Sequence, residues 1–189
     1  MKTTNIMIVG VGGQGSLLAS KLLGNLLSDE GYDVKVSEVH GMSQRGGSVV
    51  TYVRFGDKVY SPIVDMGECD YIVAFEKIEA ARYASYLNPK GKIIANTQEI
   101  EPMPVITGAC EYPADALGKL ESLGLSVDAL DALTPAIEAG SAKAVNIVLM
   151  GRLSKYMDIP REKWTDAIKK SVAPKFVELN LKAFELGRN

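Results

Sequence analysis

Very little in this chain is suited to holding a metal or a redox group. It has one histidine, His40, and two cysteines, Cys69 and Cys110, among 189 residues. A zinc site or a histidine-based catalytic triad needs partners that such a chain mostly lacks. The cysteines are far apart and show no CxxC spacing, so an iron–sulfur centre cannot be built from this chain alone. Both read as small buried residues, and a disulfide is not expected in a reducing compartment. Basic residues are scattered and the net charge is -2, which argues against a nucleic-acid surface. Charged residues interrupt every apolar stretch, so no membrane span is expected. Residues 1–4 lead straight into a strand, without the pattern of a signal peptide. A hydrophobic content of 47% with 23% charged residues is ordinary for a globular domain. The expectation is one domain over 1–189, cytoplasmic, with no membrane and no nucleic-acid partner.

What is present is glycine, placed in two dense clusters. The first, Gly10-Val11-Gly12-Gly13-Gln14-Gly15, directly follows the apolar run Ile6-Met7-Ile8-Val9. Residues 16–23 then carry helix formers with an apolar face. A strand that ends in spaced glycines and opens a helix lets backbone N–H groups approach an anion, and the helix N-terminus adds favourable partial charge. The first glycine suits a tight turn, the second close ligand approach, the third helix–strand packing. A tight turn that binds nothing, or that faces another chain, is the plainer alternative.

The second cluster is His40-Gly41-Met42-Ser43-Gln44-Arg45-Gly46-Gly47, after a strand predicted over 34–38. Glu38 falls 23 residues beyond Gly15, close to the offset of about 20 at which a dinucleotide domain places its ribose-binding acid. The crowded loop behind it is wrong for a simple ribose clamp. Glycines beside Arg45 suit an anion-binding nest, and arginine offers a planar fork to carboxylate or phosphate. The ends of strands one and two are expected side by side, which puts both glycine clusters on one rim of the sheet.

Farther along, alternation predicts strands at 5–9, 48–55, 71–75, 92–95, near Val105 and at 127–130. Helices are predicted at 15–27, 77–87, 114–123, 142–157, 161–172 and 175–186. Gly56-Asp57 reads as a two-residue hairpin loop that returns the chain at Lys58-Val59-Tyr60. Residues 88–91 read as a turn. The fold class is therefore α/β: a Rossmann-like, mostly parallel sheet flanked by helices, with an antiparallel hairpin and a mainly helical region over about 141–189. In that region Trp164, Ile168 and Val172, then Phe176, Leu179, Ala183 and Leu186, recur at helical spacing and read as core, with some surface left for a partner. Asn146 interrupts an apolar helical stretch. A buried amide needs partners, so it either reaches back to the glycine loop or makes a local packing bond.

The two glycine clusters, with Gly140-Ser141-Ala142-Lys143-Ala144-Val145-Asn146-Ile147-Val148-Leu149-Met150-Gly151, resemble the gamma-type domain of the 2-oxoacid:ferredoxin oxidoreductase superfamily. The resemblance spans essentially the whole chain, and within the superfamily it is to the small subunit of the branch that acts on indolepyruvate and other aryl pyruvates. It implies a helper subunit. A large, alpha-type catalytic partner would carry thiamine diphosphate, Mg and iron–sulfur clusters. With CoA as cosubstrate, the complex would form an arylacetyl-CoA, carbon dioxide and reduced ferredoxin. A thiamine-binding GDG is missing here, since Gly56-Asp57 is followed by Lys58, and so is a Walker loop. The residues expected at a cofactor-binding or active-site rim are Gly10, Gly12, Gly13, Gln14, Gly15, His40, Gly41, Gln44, Arg45, Gly46, Gly47 and Asn146, with no catalytic residue and no metal ligand assigned to this chain. Three alternatives stand beside this: a gamma subunit for pyruvate, 2-oxoglutarate or branched-chain 2-oxoacids, a free-standing dinucleotide-binding oxidoreductase, and a non-enzymatic binding module.

Overall fold

A computed structural model describes residues 3–189 apart from 41–45 and the His40 side chain. In chain order the elements are β1 (Thr4–Val11), α1 (Ser16–Asp29), β2 (Asp33–His40), β3 (Ser48–Gly56), β4 (Cys69–Ala74) and α2 (Lys77–Tyr83). They continue with β5 (Leu87–Asn96), α3 (Met103–Ile106), α4 (Ala116–Ser122), β6 (Ser126–Leu130) and α5 (Leu133–Ala139). The chain closes with α6 (Val145–Ser154), α7 (Arg161–Ser171) and α8 (Val177–Arg188). Short 3-10 turns at Ala84–Tyr86, Ala142–Ala144 and Pro174–Phe176 join or extend these helices.

The six strands form one sheet in the order β2-β3-β1-β4-β5-β6. β1 pairs in parallel with β4, β4 with β5 and β5 with β6, while β3 is antiparallel to both β1 and β2. Since β1 and β2 both oppose β3, they run the same way. The carboxyl ends of five strands and the start of β3 therefore share one rim. Ile6, Ile8, Val53 and Ile94 face α1 and α6 on one side of the sheet, and α7 and α8 pack in turn on α1 and α6. Met7, Val9, Ile72 and Ala95 pack on the other against α2 and α4. The near-continuous apolar run of β1 follows from burial on both faces.

The antiparallel hairpin is present, but its strands are β2 and β3 and not β3 and a return strand at 58–60. Gly56 has no positive φ, so the primed turn expected there does not form. Residues 57–68 are instead held by side chains. The Val59 N–H donates to Asp33 Oδ2 at 2.9 Å, and Arg54 Nη1 donates to the Ser61 and Ile63 carbonyls. The consequence is that β3, buried along most of its length, lies between β1 and β2, so strands one and two are not neighbours. β2, with Asp33, Lys35 and Glu38 and half-exposed valines, takes the edge, where charge discourages stray pairing.

Three smaller expectations also change. The segment near Val105 is the short helix α3, with Thr107 Oγ1 donating back to the Met103 carbonyl. The helix expected over 77–87 stops early, because Leu87 already belongs to β5. The turn at 88–91 exists as an Asn88 side-chain bond to Lys90 N–H at 2.8 Å, but it sits inside β5, where the ladder to β4 shifts register. α5 was not expected. Its signal is Asp131, whose carboxylate accepts from the N–H groups of Leu133 and Thr134. Trp164, Ile168 and Ala183 are buried as core, whereas Phe176 is half exposed. Of the cysteines, Cys69 is buried and Cys110 is exposed on the loop after α3, which corrects the expectation that both are interior.

Candidate functional site

The two glycine clusters meet through their own backbones. Gly12 N–H donates to the Gly47 carbonyl at 2.9 Å, and Gly46 N–H donates back to the Gly12 carbonyl at 3.4 Å. This reciprocal pair extends the β1–β3 ladder, which ends at Val11 opposite Ser48, onto the rim. Of the second cluster, Gly46 and Gly47 lie in the described residues. Gly41, Gln44 and Arg45 lie outside them, and for His40 only the backbone, paired with Val49, is described.

Gln14 points inward. Its Oε1 accepts the Val11 N–H at 2.8 Å, and its Nε2 donates to the Phe75 carbonyl at 3.1 Å and to Gln98 Oε1 at 3.4 Å. Asn96 completes the lattice, donating to the Phe75 carbonyl and to Gln98 Oε1 and accepting the Ala132 N–H. Backbone groups at the ends of β1, β4 and β6 are thereby bonded to side-chain amides, which holds the rim in one arrangement. This crowding explains Gly10: a Cβ there would stand 2.8 Å from Gln14 Oε1 and 2.9 Å from Phe75 Cβ.

Gly15 is the N-cap of α1, with φ 89°, and offers no side-chain cap. A Cβ at Gly15 would stand 2.7 Å from Asn146 Nδ2. That amide is buried and donates to the Gly15 carbonyl at 3.2 Å, while its Oδ1 accepts the Ile147 N–H at 2.8 Å. Both expectations for Asn146 are met, the amide nitrogen reaching back to the glycine loop and the amide oxygen making a local bond in α6. The N–H groups of Gly13 and Gly15 find no acceptor among the described residues. With the uncapped first turn of α1 they form a donor surface suited to an anion. Gly12 and Gln14 contribute less, since their N–H groups are used by Gly47 and Val11. Glu38 is also committed, accepting from Ser20 Oγ at 2.9 Å.

A buried carboxylate anchors the next part of the rim. Glu76 caps α2 through the Glu79 N–H, and its Oε1 takes both the Ile100 N–H and the Tyr112 hydroxyl. One oxygen thus closes the loop that carries α3. Burial, then the Glu76 carboxylate, pushes the Tyr112 phenol well above its ordinary value. Glu79 accepts from Ser48 Oγ and Arg82 Nε, tying the start of β3 to α2. Sequence reasoning missed Glu76, Asn96 and Gln98. The available signal was a polar residue immediately past each predicted apolar strand, at 76 and 96.

A family model described as pyruvate ferredoxin/flavodoxin oxidoreductase matches residues 5–189. The chain belongs to this family. Among curated relatives of the family, subunit IorB of the indolepyruvate oxidoreductase of Thermococcus kodakarensis is 46% identical, over 99% of this chain and 95% of the relative. The gamma subunit of a keto/oxoacid ferredoxin oxidoreductase from Geobacter sulfurreducens has the same fold, with TM-score 0.72, 24% identity, and 97% and 95% of the two chains covered. The 2-oxoglutarate:ferredoxin oxidoreductase of Magnetococcus marinus contains the fold within a longer chain: TM-score 0.76, 19% identity, all of this chain but 31% of that one. Over almost its whole length, this family member therefore corresponds to a small oxidoreductase subunit. Among the described residues no three His, Cys, Asp or Glu side chains are grouped to hold a metal ion, and no helix is long and apolar enough to cross a membrane.

Proposed function

We propose that this chain is the small subunit of a CoA-acylating 2-oxoacid:ferredoxin oxidoreductase, and that its joined glycine rim completes a reaction site carried by a large partner. The observation that carries this reading is the reciprocal bonding of Gly12 with Gly46 and Gly47, which merges two glycine clusters into one surface beside the uncapped start of α1. The relative at 46% identity is named for indolepyruvate, which supports an aryl pyruvate as substrate. The products are then an arylacetyl-CoA, carbon dioxide and reduced ferredoxin. The Magnetococcus enzyme, solved with 2-oxoglutarate, coenzyme A and succinyl-CoA bound, supports CoA as cosubstrate.

On this reading thiamine diphosphate, Mg and iron–sulfur clusters reside in the large subunit and supply decarboxylation and electron transfer there. The donor set of this chain does not fit a cluster, since Cys69 is buried, with its thiol pushed up to about 12 by desolvation, and Cys110 is the only other thiol. This chain's contribution is positional. The N–H groups of Gly13 and Gly15 face an anion such as a CoA phosphate, Asn146 and Gln14 hold the loop that presents them, and the docked rim excludes water. Arg45 pairs with that phosphate or with a partner carboxylate. The isolated chain is accordingly inactive and cytoplasmic. Glu38, bonded to Ser20, is not left free as a ribose clamp, which disfavours a free-standing dinucleotide enzyme.

The test is Arg45→Ala in the reconstituted complex. The expected result is a rise of about tenfold, the scale of one charge-assisted hydrogen bond, in the KM for CoA or in the subunit dissociation constant. If both stay unchanged, the rim does not act as described.

A further inference from the structure

A cavity of about 320 Å³ lies between the first turns of α1 and the connection from α7 to α8. Its walls are Leu18, Ala144, Val172, Phe176 and Leu179, with Lys143 also lining it. Phe176 is 47% exposed, unusual for an aromatic ring that a cavity wall could hide. The uncharged polar side chains in the lining are already engaged. Ser141 Oγ accepts the Lys143 N–H at 3.2 Å, Ser171 Oγ accepts from Asn25 at 3.0 Å, and Asn180 donates to the Phe176 carbonyl at 2.7 Å. The Lys143 ammonium has no acceptor and no counter-ion among the described residues, and no carboxylate lines the cavity. A second cation, Lys175, lies over the Phe176 ring at 4.9 Å.

We propose that this cavity is a binding site for a small aromatic carboxylate, its ring between Leu18, Val172, Leu179 and Phe176 and its carboxylate on Lys143. Three features select that class. The lining is mostly apolar, so the body of the ligand is apolar. The one uncommitted charge is positive, so the polar end is an anion, and a carboxylate there gains a charge-assisted hydrogen bond. The volume lies at the lower limit of small-molecule sites, about 300 Å³, so a one- or two-ring acid fits and a nucleotide does not. The exposed face of Phe176 offers edge or offset contact to a ring. This proposal does not depend on the subunit reading, because the cavity belongs to the chain itself.

The experiment titrates the full chain with 3-phenylpropionate and with its neutral isostere 3-phenylpropanol, following methyl NMR signals of Leu18, Val172 and Leu179. The acid is expected to bind saturably and about tenfold more tightly than the alcohol. Lys143→Met, a change at an exposed side chain, erases that difference while ring binding persists. Leu179→Phe, which fills the cavity, abolishes both. Octanoate binding as tightly as the aromatic acid, equal binding of acid and alcohol, an unaltered preference in Lys143→Met, or no saturable shift at millimolar ligand would each overturn the proposal.

Discussion

Glycine does two different jobs in this molecule, at the sheet rim and between α6 and α8. At the rim, Gly10 and Gly15 admit side-chain amides: Gln14 fills the space beside one and Asn146 the space beside the other. Between α6 and α8, Gly151 and Gly187 admit backbone. A Cβ at Gly151 would stand 2.2 Å from the Phe184 carbonyl oxygen, and one at Gly187 only 2.0 Å from that of Val148. The Asn146 amide beside Gly15 can turn away, whereas Phe75 Cβ beside Gly10 is fixed to its backbone and the helical backbone beside Gly151 and Gly187 cannot move without separating the helices. The contact at Gly15 is therefore one that a partner side-chain change can relieve, whereas the contact at the helix crossing is not.

The largest effect should come from breaking the helix crossing. Gly187→Ala forces α6 and α8 apart and should cost ~3 kcal/mol, the upper end of ordinary overpacking, read by urea denaturation. No second side-chain change should restore it, since the clash is with backbone. At the rim, Gly15→Ala combines a left-handed backbone with the Asn146 amide. It should cost ~2 kcal/mol. Here a partner change does help: Gly15→Ala with Asn146→Ala should recover ~1 kcal/mol relative to the sum of the two single variants. Additive costs in that double-mutant cycle would erase the distinction between the two regions.

The smallest effect lies away from both. The Asp33 carboxyl is held down to about 2 by the Lys35 ammonium and the Val59 N–H. A carboxylate whose folded-state value is depressed adds stability above its ordinary value near 3.8 and loses it as pH falls through the folded one. Wild type and Asp33→Asn should therefore differ by a small, constant amount at neutral pH. The gap should narrow between pH 4 and pH 2 in acid-titrated thermal melts.

The sequence predicted most of the elements because their signals are local. The apolar run before Gly10, the β-branched stretch at 48–55 and the helical spacing of Trp164 and Ile168 each need only near neighbours. It misplaced the partner of β3 because a hairpin turn and a longer connection leave the same alternation in the strand. Only the satisfaction of Val59 N–H by Asp33, 26 residues away, reveals that residues 58–60 are not a strand. Cys69 and Cys110 have the same composition value and opposite exposure for the same reason.

By itself, the amino-acid order determined that a glycine-lined strand-to-helix turn exists at 10–15, that a second glycine cluster follows the next strand, and that Asn146 needs a buried partner. Chain-local chemistry is enough for those statements. Tertiary structure decided that Gly12 bonds to Gly46 and Gly47, that Gln14 faces the strand ends at Phe75 and Gln98, and that Asn146 finds Gly15, 131 residues away. Those partners are chosen by strand order and helix packing, which depend on burying the whole apolar surface at once and leave no local trace in the chain.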